Sequence, residues 1–249
     1  IGGDGTLQGA TQLMEEHGVP VVGCPGTIDN DLFGTDETIG YDTALNTAIE
    51  NIDRIRDTAD AHDRLFLVEV MGRDAGFIAL NCAIGGGAEM VLIPETTTNL
   101  RDAKDRILAL MSAQVRSSIV VVAEGAFPKG GDVSILGDSL PGQAKRVGGI
   151  AEPLAREIQR RTGKESRSMV LGHLQRGGQP TGYDRLLASR FGGAAVRAIA
   201  DEKWGHMVAL QSPHIVTIPI TEVLAETKRV DPSHDTVMTA RATGISFGD

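Results

Sequence analysis

The sequence predicts an α/β protein made of two doubly wound lobes with mostly parallel sheets. Apolar runs of strand length alternate with helical repeats along most of the 249 residues, as they do where helices cover both faces of a parallel sheet. Several of these runs also end in loops rich in glycine and charged residues. Because ligands bind at the carboxyl ends of strands in such sheets, these loops are the candidate site.

The expected helices are defined by apolar residues three and four positions apart. The first, over residues 6–17, carries Leu7, Ala10 and Met14 on one face and ends at Gly18, a residue type that commonly ends helices. The other expected helices have the same spacing and cover residues 41–59, 75–83, 100–111, 150–161 and 183–200.

The expected strands are short, unbroken apolar runs. They cover residues 19–24, 65–70, 90–93, 118–123 and 169–171, and Pro94 ends the third of them. Residues 127–147 are rich in Gly, Pro, Asp and Ser and show no period, which is typical of a surface loop. The tail after Thr227 is polar and is not assigned to any element.

Composition and charge exclude several classes of partner. The net charge is −9 and aromatic residues make up 4% of the chain, so we expect neither an electrostatic nor a stacking surface for nucleic acid. The two cysteines, Cys24 and Cys82, lack metal-type spacing. No apolar run reaches membrane-spanning length and no signal peptide is present, so we expect a cytoplasmic location and no membrane partner.

The chain begins at Ile1, without an initiator methionine and almost directly with a glycine-rich loop. A phosphate-binding loop of this kind normally follows a strand. We therefore expect the natural N-terminus, with two or three βα units, to be absent from this sequence.

The loop Gly2-Gly3-Asp4-Gly5-Thr6 precedes the first expected helix. Its amides and the helix N-terminus are suited to phosphate oxygens, and Asp4 would then bind Mg²⁺ that bridges the phosphates. An ordinary glycine turn with Thr6 as a helix cap is the alternative. The string alone is only moderately specific, because diacylglycerol kinases and NAD kinases carry a similar one.

The segment 25–31, with the sequence PGTIDND, follows the strand expected at residues 19–24. Thr27 offers a hydroxyl, Asp29 is placed to accept a proton from an attacking alcohol, and the glycine lets a substrate approach the backbone. The alternative is that Asp29 and Asp31 only cap the next helix or bind water. Two such loops facing one crevice indicate phosphoryl transfer to a hydroxyl.

Three further charged loops follow expected strands. Arg73, after the strand at residues 65–70, can neutralise charge on a moving phosphoryl group or pair with a nearby carboxylate instead. Glu124 can accept hydrogen bonds from sugar hydroxyls or simply face water. His173 and Arg176, three residues apart between glycines, are suited to binding an anion, and a helix-capping loop is the alternative.

Arg64 and Arg167 each precede an expected strand instead of following one. They are therefore expected to point away from the strand-end crevice of their own chain. A role for either arginine in such a crevice would require a neighbouring subunit.

Taken together, these strings resemble the phosphofructokinase family, and within it the bacterial ATP-dependent enzymes. The matching strings are IGGDGT, PGTIDNDLFGTDETIGYDTAL, RLFLVEVMGRDAG, IPE and SMVLGHLQRGGQPTGYDRLLASR, which occur in family order between residues 1 and 192. The combination of PGTIDND with GHLQRGG is highly specific and does not resemble lipid or NAD kinases.

The resemblance implies ATP-dependent phosphorylation of the 1-hydroxyl of fructose 6-phosphate. Asp29 would be the base for that hydroxyl, with Thr27 and Arg73 completing the catalytic set, and Asp4 would bind Mg²⁺ with the nucleotide phosphates. Nucleotide contacts are implied for Gly3, Asp4, Gly5 and Thr6. Sugar-phosphate contacts are implied for Thr27, Asp29, Met71, Gly72, Arg73, Glu124, His173 and Arg176. Arg64 and Arg167 would reach the neighbouring subunit's site, which implies a homotetramer.

The resemblance also implies a role for each lobe. Residues 1–40 and 174–225 would form the nucleotide-binding lobe, and residues 41–173 with 226–249 the sugar-phosphate-binding lobe. The active site would lie in the cleft between them.

Two glycines bear on the phosphoryl donor. Pyrophosphate-dependent relatives carry Asp at the position of Gly5 and Lys at the position of Gly26. An aspartate would crowd and repel the α-phosphate of a nucleotide, whereas a lysine would hold a small pyrophosphate. The two glycines therefore favour ATP, and the same fold using pyrophosphate is the alternative.

Three departures from the family pattern are present. A molecule beginning at Ile1 lacks the family's first nucleotide loop, so we expect little or no kinase activity from it and an exposed sheet edge. The loop at residues 127–147 is longer than in short bacterial members. Arg56 and Glu95 match effector-site positions, but residues 114–117 replace a Lys-rich stretch, which leaves allosteric control by ADP or phosphoenolpyruvate open.

Two other classes of function are alternatives. A catalytically silent subunit or fragment would bind sugar phosphate or support assembly. Only the missing N-terminal portion favours it, because every matched catalytic position is intact. A lipid or NAD kinase rests on the first glycine loop alone.

Overall fold

The computed structural model describes residues 1–115, 117–130 and 148–249. Within them the helices are α1 (Asp4–His17), α2 (Tyr41–His62), α3 (Phe77–Gly85), α4 (Leu100–Ser112), α5 (Ala151–Thr162), α6 (Gly182–Ala200), α7 (Ile220–Val223) and α8 (Asp235–Ala242). The strands are β1 (Val22–Gly23), β2 (Leu65–Val70), β3 (Met90–Leu92), β4 (Ser118–Ala123), β5 (Ser166–Val170), β6 (His206–Gln211) and β7 (His214–Pro219). A 3-10 helix covers Gly172–Arg176.

The chain divides into two compact units. Unit 1 comprises Ile1–Ala44 and Gly178–Lys228, and unit 2 comprises Leu45–Gly177 and Arg229–Asp249. Each unit is therefore discontinuous in sequence. The assignment of a nucleotide or sugar-phosphate role to either unit stays a prediction.

The sheet of unit 2 is parallel, with the strand order β3-β4-β2-β5. Strands β2 and β4 are buried along their whole length, as expected of apolar runs covered on both faces. Their register pairs Leu65 with Ser118 and Val70 with Ala123, so both strands end at the same level. The prediction of a parallel α/β sheet is confirmed, and the loops after these strands start side by side.

The sheet of unit 1 has the order β1-β6-β7, in which β6 is parallel to β1 and antiparallel to β7. Alternate residues of β6 face opposite sides. Met207 and Ala209 pack in a cluster with Leu7 of α1. Val208 packs instead with Phe191 of α6, and Met207 and Val208 are both fully buried. Helices thus cover both faces of this small sheet, as predicted.

The strand predicted at residues 169–171 is wrong in its bounds. The observed β5 begins at Ser166 and pairs with β2, from Leu65 opposite Ser166 to Glu69 opposite Val170. It is an edge strand whose residues are mostly exposed, so no apolar run marks its start. Arg167 therefore lies inside β5, and the expectation that it precedes a strand is wrong.

Other bounds shift by a few residues. Helix α1 begins at Asp4 instead of Thr6, because Gly3 is extended and acts as the N-cap. Strand β1 contains only Val22 and Gly23 of the run expected at residues 19–24. The β6–β7 hairpin and helices α7 and α8 were not predicted.

The loop predicted at residues 127–147 lies, from residue 131 onward, outside the described residues, as does residue 116 of the 114–117 stretch. Within the described part of the chain, we find no helix long and apolar enough to cross a bilayer.

Candidate active site

The two glycine-rich carboxylate loops of unit 1 lie side by side. The amide of Gly2 donates to the carbonyl of Cys24 over 3.1 Å, and the amide of Gly26 donates back to the carbonyl of Gly2 over 3.0 Å. Gly2 and Pro25 thus form a parallel bridge. A side chain added at Gly3 would place its Cβ 3.5 Å from the Cβ of Thr27. The structure therefore brings the Asp4 loop and the Asp29 loop together.

Asp4 occupies the first turn of α1 and is exposed, as are Gly5 and Thr6. The N-cap residue, Gly3, has no side chain to cap this helix end, and the first amides of a helix point toward such an end, where an anion can bind. Leu7, only 2% exposed, anchors the helix beneath the loop. This geometry is compatible with a phosphate-binding turn, and phosphate binding there stays a prediction.

Asp29 is buried, and polar contacts within unit 1 hold its loop. Its own amide donates to Thr27 Oγ1 over 3.2 Å. The Thr38 hydroxyl donates to the carbonyl of Thr27 over 2.6 Å. The next residue, Asn30, has a left-handed φ of 54° and donates from its side chain to the carbonyl of Asp36 over 3.2 Å. Together with Thr38, these contacts fix the backbone on both sides of the Asp29 carboxylate.

In unit 2 the strand order places the Arg73 loop in the middle of the sheet's carboxyl edge. Strand β2 lies between β4 and β5, so the loop after β2 has Glu124 on one side and the 3-10 helix on the other. The amide of Glu124 donates to the carbonyl of Val70 over 2.9 Å, and the amide of Leu171 donates to that of Glu69 over 3.0 Å. The three loops predicted from sequence are thus neighbours.

The Arg73 loop is held tightly. Arg73 has a left-handed φ of 50°, and its amide donates to Glu124 Oε1 over 3.0 Å. Gly72 has φ 137°, and a Cβ there would lie 2.5 Å from the carbonyl oxygen of Ala75. A Cβ on Gly125 would lie 2.0 Å from the carbonyl oxygen of Arg73. Glycine is therefore required sterically at both positions.

His173 and Arg176 lie on the 3-10 helix, and both are exposed. Between them Gln175 is 1% exposed and donates from its side chain to the carbonyl of Gly172 over 3.3 Å. The buried glutamine fixes the turn, so His173 and Arg176 project from it toward solvent. This arrangement suits an anion at the edge of the sheet.

Arg64 and Arg167 lie at the opposite, amino edge of the same sheet. Both contact one atom, Glu165 Oε1, at 3.0 Å from Arg64 Nε and 2.6 Å from Arg167 Nη2. Arg64 first, and Arg167 with it, holds the pKa of the Glu165 carboxyl below its usual range. The structure therefore separates these two arginines from the carboxyl-edge residues of their own unit.

Several supporting residues were not predicted from sequence. In unit 1 the buried Asp184 carboxylate accepts from the amides of Gly40 and Thr43, each over 2.8 Å, and caps the start of α2. In unit 2 the buried Glu69 carboxylate accepts from the amides of Gly149 and Ala151, over 2.7 and 2.9 Å. Both pairs are far apart in sequence, so no local signal reveals them.

The two residues that match effector-site positions have partners within unit 2. Arg56 Nη2 donates to the carbonyls of Gly86 and Gly87, over 2.7 and 2.6 Å. Glu95 Oε1 accepts from the amides of Gly76 and Val230, each over 2.9 Å. Through these contacts both side chains hold backbone segments of unit 2 together, which is a structural role.

The fold is that of an α/β protein, a class in which ligands bind at the carboxyl ends of the parallel strands. The family model described as phosphofructokinase matches residues 1–199. The chain belongs to the phosphofructokinase family.

Relatives with two different donors resemble the chain equally well. The ATP-dependent 6-phosphofructokinase of Chloroflexus aurantiacus is 46% identical over 249 residues, 100% of this chain and 68% of that protein. The pyrophosphate–fructose 6-phosphate 1-phosphotransferase of Streptomyces coelicolor is 48% identical over 237 residues, 94% of this chain and 68% of that protein. Overall identity therefore does not distinguish the donor.

Solved structures have the same fold. Phosphofructokinase from Pichia pastoris in the T-state superimposes with a TM-score of 0.77 at 32% identity, over 98% of this chain and 26% of that one. A pyrophosphate-dependent phosphofructokinase from Marinobacter aquaeolei, at 23% identity, gives a TM-score of 0.75 over 97% of this chain and 64% of that one. The predicted α/β fold class is confirmed.

Proposed function

We propose that the protein transfers the γ-phosphoryl group of ATP to the 1-hydroxyl of fructose 6-phosphate, giving fructose 1,6-bisphosphate and ADP. The observation that carries this proposal is the pairing of the two carboxylate loops through Gly2 and Gly26. One loop carries Asp4 at a helix N-terminus, and the other carries the buried Asp29. Membership of the family and the ATP-dependent relatives support the same reaction.

In this mechanism the residues of unit 1 act on the proton and the nucleotide. Asp29 accepts the proton of the 1-hydroxyl while the hydroxyl oxygen bonds to the γ-phosphorus. The bond from that phosphorus to the bridging oxygen breaks, and ADP leaves with its electron pair. Thr27 orients Asp29 through the hydrogen bond to its amide. Gly3, Gly5 and Thr6 bind phosphate oxygens at the start of α1.

Mg²⁺ fits this proposal as a metal that arrives with the nucleotide. Among the described residues, no group of three or more His, Cys, Asp or Glu side chains is arranged to hold a metal ion. Asp4 offers one exposed carboxylate, and Mg²⁺ is commonly bound by one or two carboxylates together with substrate phosphates. When bound, it neutralises charge on those phosphates.

In the same proposal, residues of unit 2 bind the sugar phosphate, and Arg73 neutralises charge on the transferred group. Glu124 and His173 contact the sugar phosphate, as do Met71, Gly72 and Arg176. We also propose a cytoplasmic homotetramer in which Arg64 and Arg167 serve the neighbouring subunit's site. The shared contact of both arginines with Glu165 supports a common ligand for them.

Two glycines support ATP as the donor. A Cβ on Gly5 would meet nothing within 4 Å, so its absence leaves open space beside the start of α1. A Cβ on Gly26 would lie 2.9 Å from Ile1 Cγ2, so a lysine there would displace that side chain. Pyrophosphate is the second candidate donor, because relatives that use it are 48–49% identical.

The test is a coupled fructose 6-phosphate kinase assay of the full-length protein, run with ATP and separately with pyrophosphate, beside Asp29→Asn. We expect activity with ATP and a fall in kcat of about 10²- to 10⁴-fold in the variant, because proton removal is lost. Asp231→Asn, at an exposed loop carboxylate of unit 2, is the control and should keep full activity.

Each other result selects an alternative. Activity with pyrophosphate alone would reject ATP as the donor. Full activity of Asp29→Asn would reject Asp29 as the base. Fructose 6-phosphate binding without transfer from either donor would favour the catalytically silent subunit.

A further inference from the structure

The segment at the end of unit 1 pairs with the loop that follows Asp29. Thr227 forms an antiparallel bridge with Leu32, and the amide of Lys228 donates to the carbonyl of Asp31 over 2.9 Å. Residues 227–228 therefore lie against the backbone two to three positions after the proposed catalytic base. No sequence motif indicates this contact.

The Lys228 side chain closes the same loop from within. Its Nζ donates to the carbonyls of Thr35 and Asp36, over 2.8 and 2.9 Å. The Asp36 carbonyl also accepts from the side-chain amide of Asn30, which adjoins Asp29. The ammonium, the shared carbonyl and the Asn30 amide thus form a continuous set of contacts ending at the residue next to the base.

Burial in this position removes the Lys228 ammonium from part of its solvent, which disfavours its charged form. Lys228 is half-buried, and burial lowers the pKa of its ammonium to about 8, although the carboxylates of Asp31, Asp36 and Glu37 oppose that shift. The carboxylate of Asp36 accepts from the amide of Ser212 over 2.7 Å. An apolar side chain would pack here without this desolvation penalty. The ammonium and its three acidic neighbours therefore indicate a polar role for Lys228.

We propose that Lys228 is a positioning residue for Asp29, whose ammonium holds the 30–37 loop closed and thereby fixes where the Asp29 carboxylate lies. The inference rests on the proposed function, in which Asp29 is the base. The Lys228 side chain donates to two carbonyls of this loop, so replacing its amino group with an apolar group loosens the loop. The position of Asp29 then depends on the donor at residue 228.

The kinetic test compares Lys228→Met and Lys228→Arg with the unaltered protein. We expect Lys228→Met to lower kcat at pH 7 by about tenfold with an unchanged KM for fructose 6-phosphate, because the base is misplaced and the sugar site of unit 2 is intact. Lys228→Arg, which keeps hydrogen-bond donors at this position, should retain most of kcat. Lys203→Met, at an exposed lysine of unit 1, should change neither quantity.

A kcat of Lys228→Met equal to that of the unaltered protein would overturn the proposal. So would a kcat of Lys228→Arg as low as that of Lys228→Met, because arginine keeps the donors. A merely structural role predicts a loss of folded protein with an unchanged kcat per folded molecule.

A second measurement does not depend on activity or on any variant. In an NMR titration of the unaltered protein from pH 6 to 10, the side-chain amide of Asn30 and the backbone amide of Asp29 should shift together with a midpoint near 8. Unchanged signals would reject the positioning role even if the protein is an active kinase. A clear midpoint in a protein that phosphorylates nothing would keep the Lys228 contact and reject the kinase proposal.

Discussion

The candidate loops of the two units are held in different ways. In unit 1 the Asp29 loop follows a strand of only two residues, Val22–Gly23, and side chains such as those of Thr38 and Lys228 bind its carbonyls. In unit 2 the Arg73 loop follows β2, six buried residues hydrogen bonded on both sides, and glycines leave room for its backbone. The position of the first loop therefore depends on hydrogen bonds from polar side chains. The position of the second depends on glycines, which have no side chain to collide with its backbone.

The largest effect is expected from Gly125→Ala in unit 2. Its Cβ would lie 2.0 Å from the Arg73 carbonyl oxygen, so the loop must move. We expect a loss of about 3 kcal/mol in the free energy of unfolding and at least a tenfold rise in KM for fructose 6-phosphate. Urea denaturation and steady-state kinetics measure the two.

Gly192→Ala is the matched control for that substitution. Gly192 lies within α6, and a Cβ there would meet nothing within 4 Å. It should stabilise the protein by about 0.5–1 kcal/mol, because alanine is the better helix former. A Gly125→Ala variant as stable as the parent would show that volume at this loop is tolerated.

The next effect concerns the charge of Lys228. Its pKa is about 8 in the folded protein and 10.5 ordinarily, so the unfolded chain binds more protons between these values. The free energy of unfolding should therefore rise from pH 8 to 10.5. The upper limit of this rise is about 3 kcal/mol, and solvent screening makes the actual rise smaller. Urea denaturation of the parent and of Lys228→Met across this window measures the rise, which the variant should lack.

A smaller effect is expected from Thr38→Val in unit 1. The substitution keeps the side-chain shape but removes the hydroxyl that donates to the Thr27 carbonyl. We expect a loss of about 1–2 kcal/mol in the free energy of unfolding, because a half-buried acceptor loses its donor, together with a lower kcat. Thr38→Ser, which keeps the hydroxyl, should retain most of both. Equal behaviour of the two variants would contradict the polar account of this loop.

The smallest effect on stability is expected from Glu165→Gln. Its carboxylate is exposed to solvent, which screens its ion pairs, so the free energy of unfolding should change little. Its pKa is depressed in the folded protein, so the pairing with Arg64 and Arg167 is complete above the ordinary pKa and is lost as pH falls through the folded one. KM for fructose 6-phosphate should rise severalfold, as measured at low salt.

Glu157→Gln is the matched control, because Glu157 also accepts from two arginines, Arg160 and Arg161. Neither arginine is assigned to a ligand, so KM should stay unchanged. An equal rise in both variants would mean that surface charge, and not the arrangement of Arg64 and Arg167, controls binding.

The sequence predicted the strands that are buried along their whole length most accurately. Strands β2 and β4 were predicted at residues 65–70 and 118–123, which are their observed bounds, because each is an unbroken apolar run. The bounds of β5 were wrong because an edge strand has no such run. Burial was not sufficient for β6, whose buried run covers only residues 207–210, and β7 is only partly buried, so the β6–β7 hairpin was not predicted.

In the candidate site, too, the sequence predicted some features and not others. Loops after strands placed Arg73, Glu124 and His173 at one edge, because strand ends align in a parallel sheet. The hydrogen bond from the Arg73 amide to Glu124 and the steric demand at Gly125 join segments 51 or more positions apart. Side-chain orientation and backbone approach over such separations leave no local pattern, so only the structure reveals them.

The contact between Lys228 and Thr35 joins residues 193 positions apart and has a consequence for synthesis. A chain leaves the ribosome from its N-terminal end, so strands β2 to β5 of unit 2 are all made once Val170 has been added. At about 5–20 residues per second, the stretch up to Lys228 takes roughly another 3 to 12 seconds. During that interval the Asp29 loop lacks its closing segment. The proposed base therefore reaches its working geometry only after all strands of the unit 2 sheet have been made.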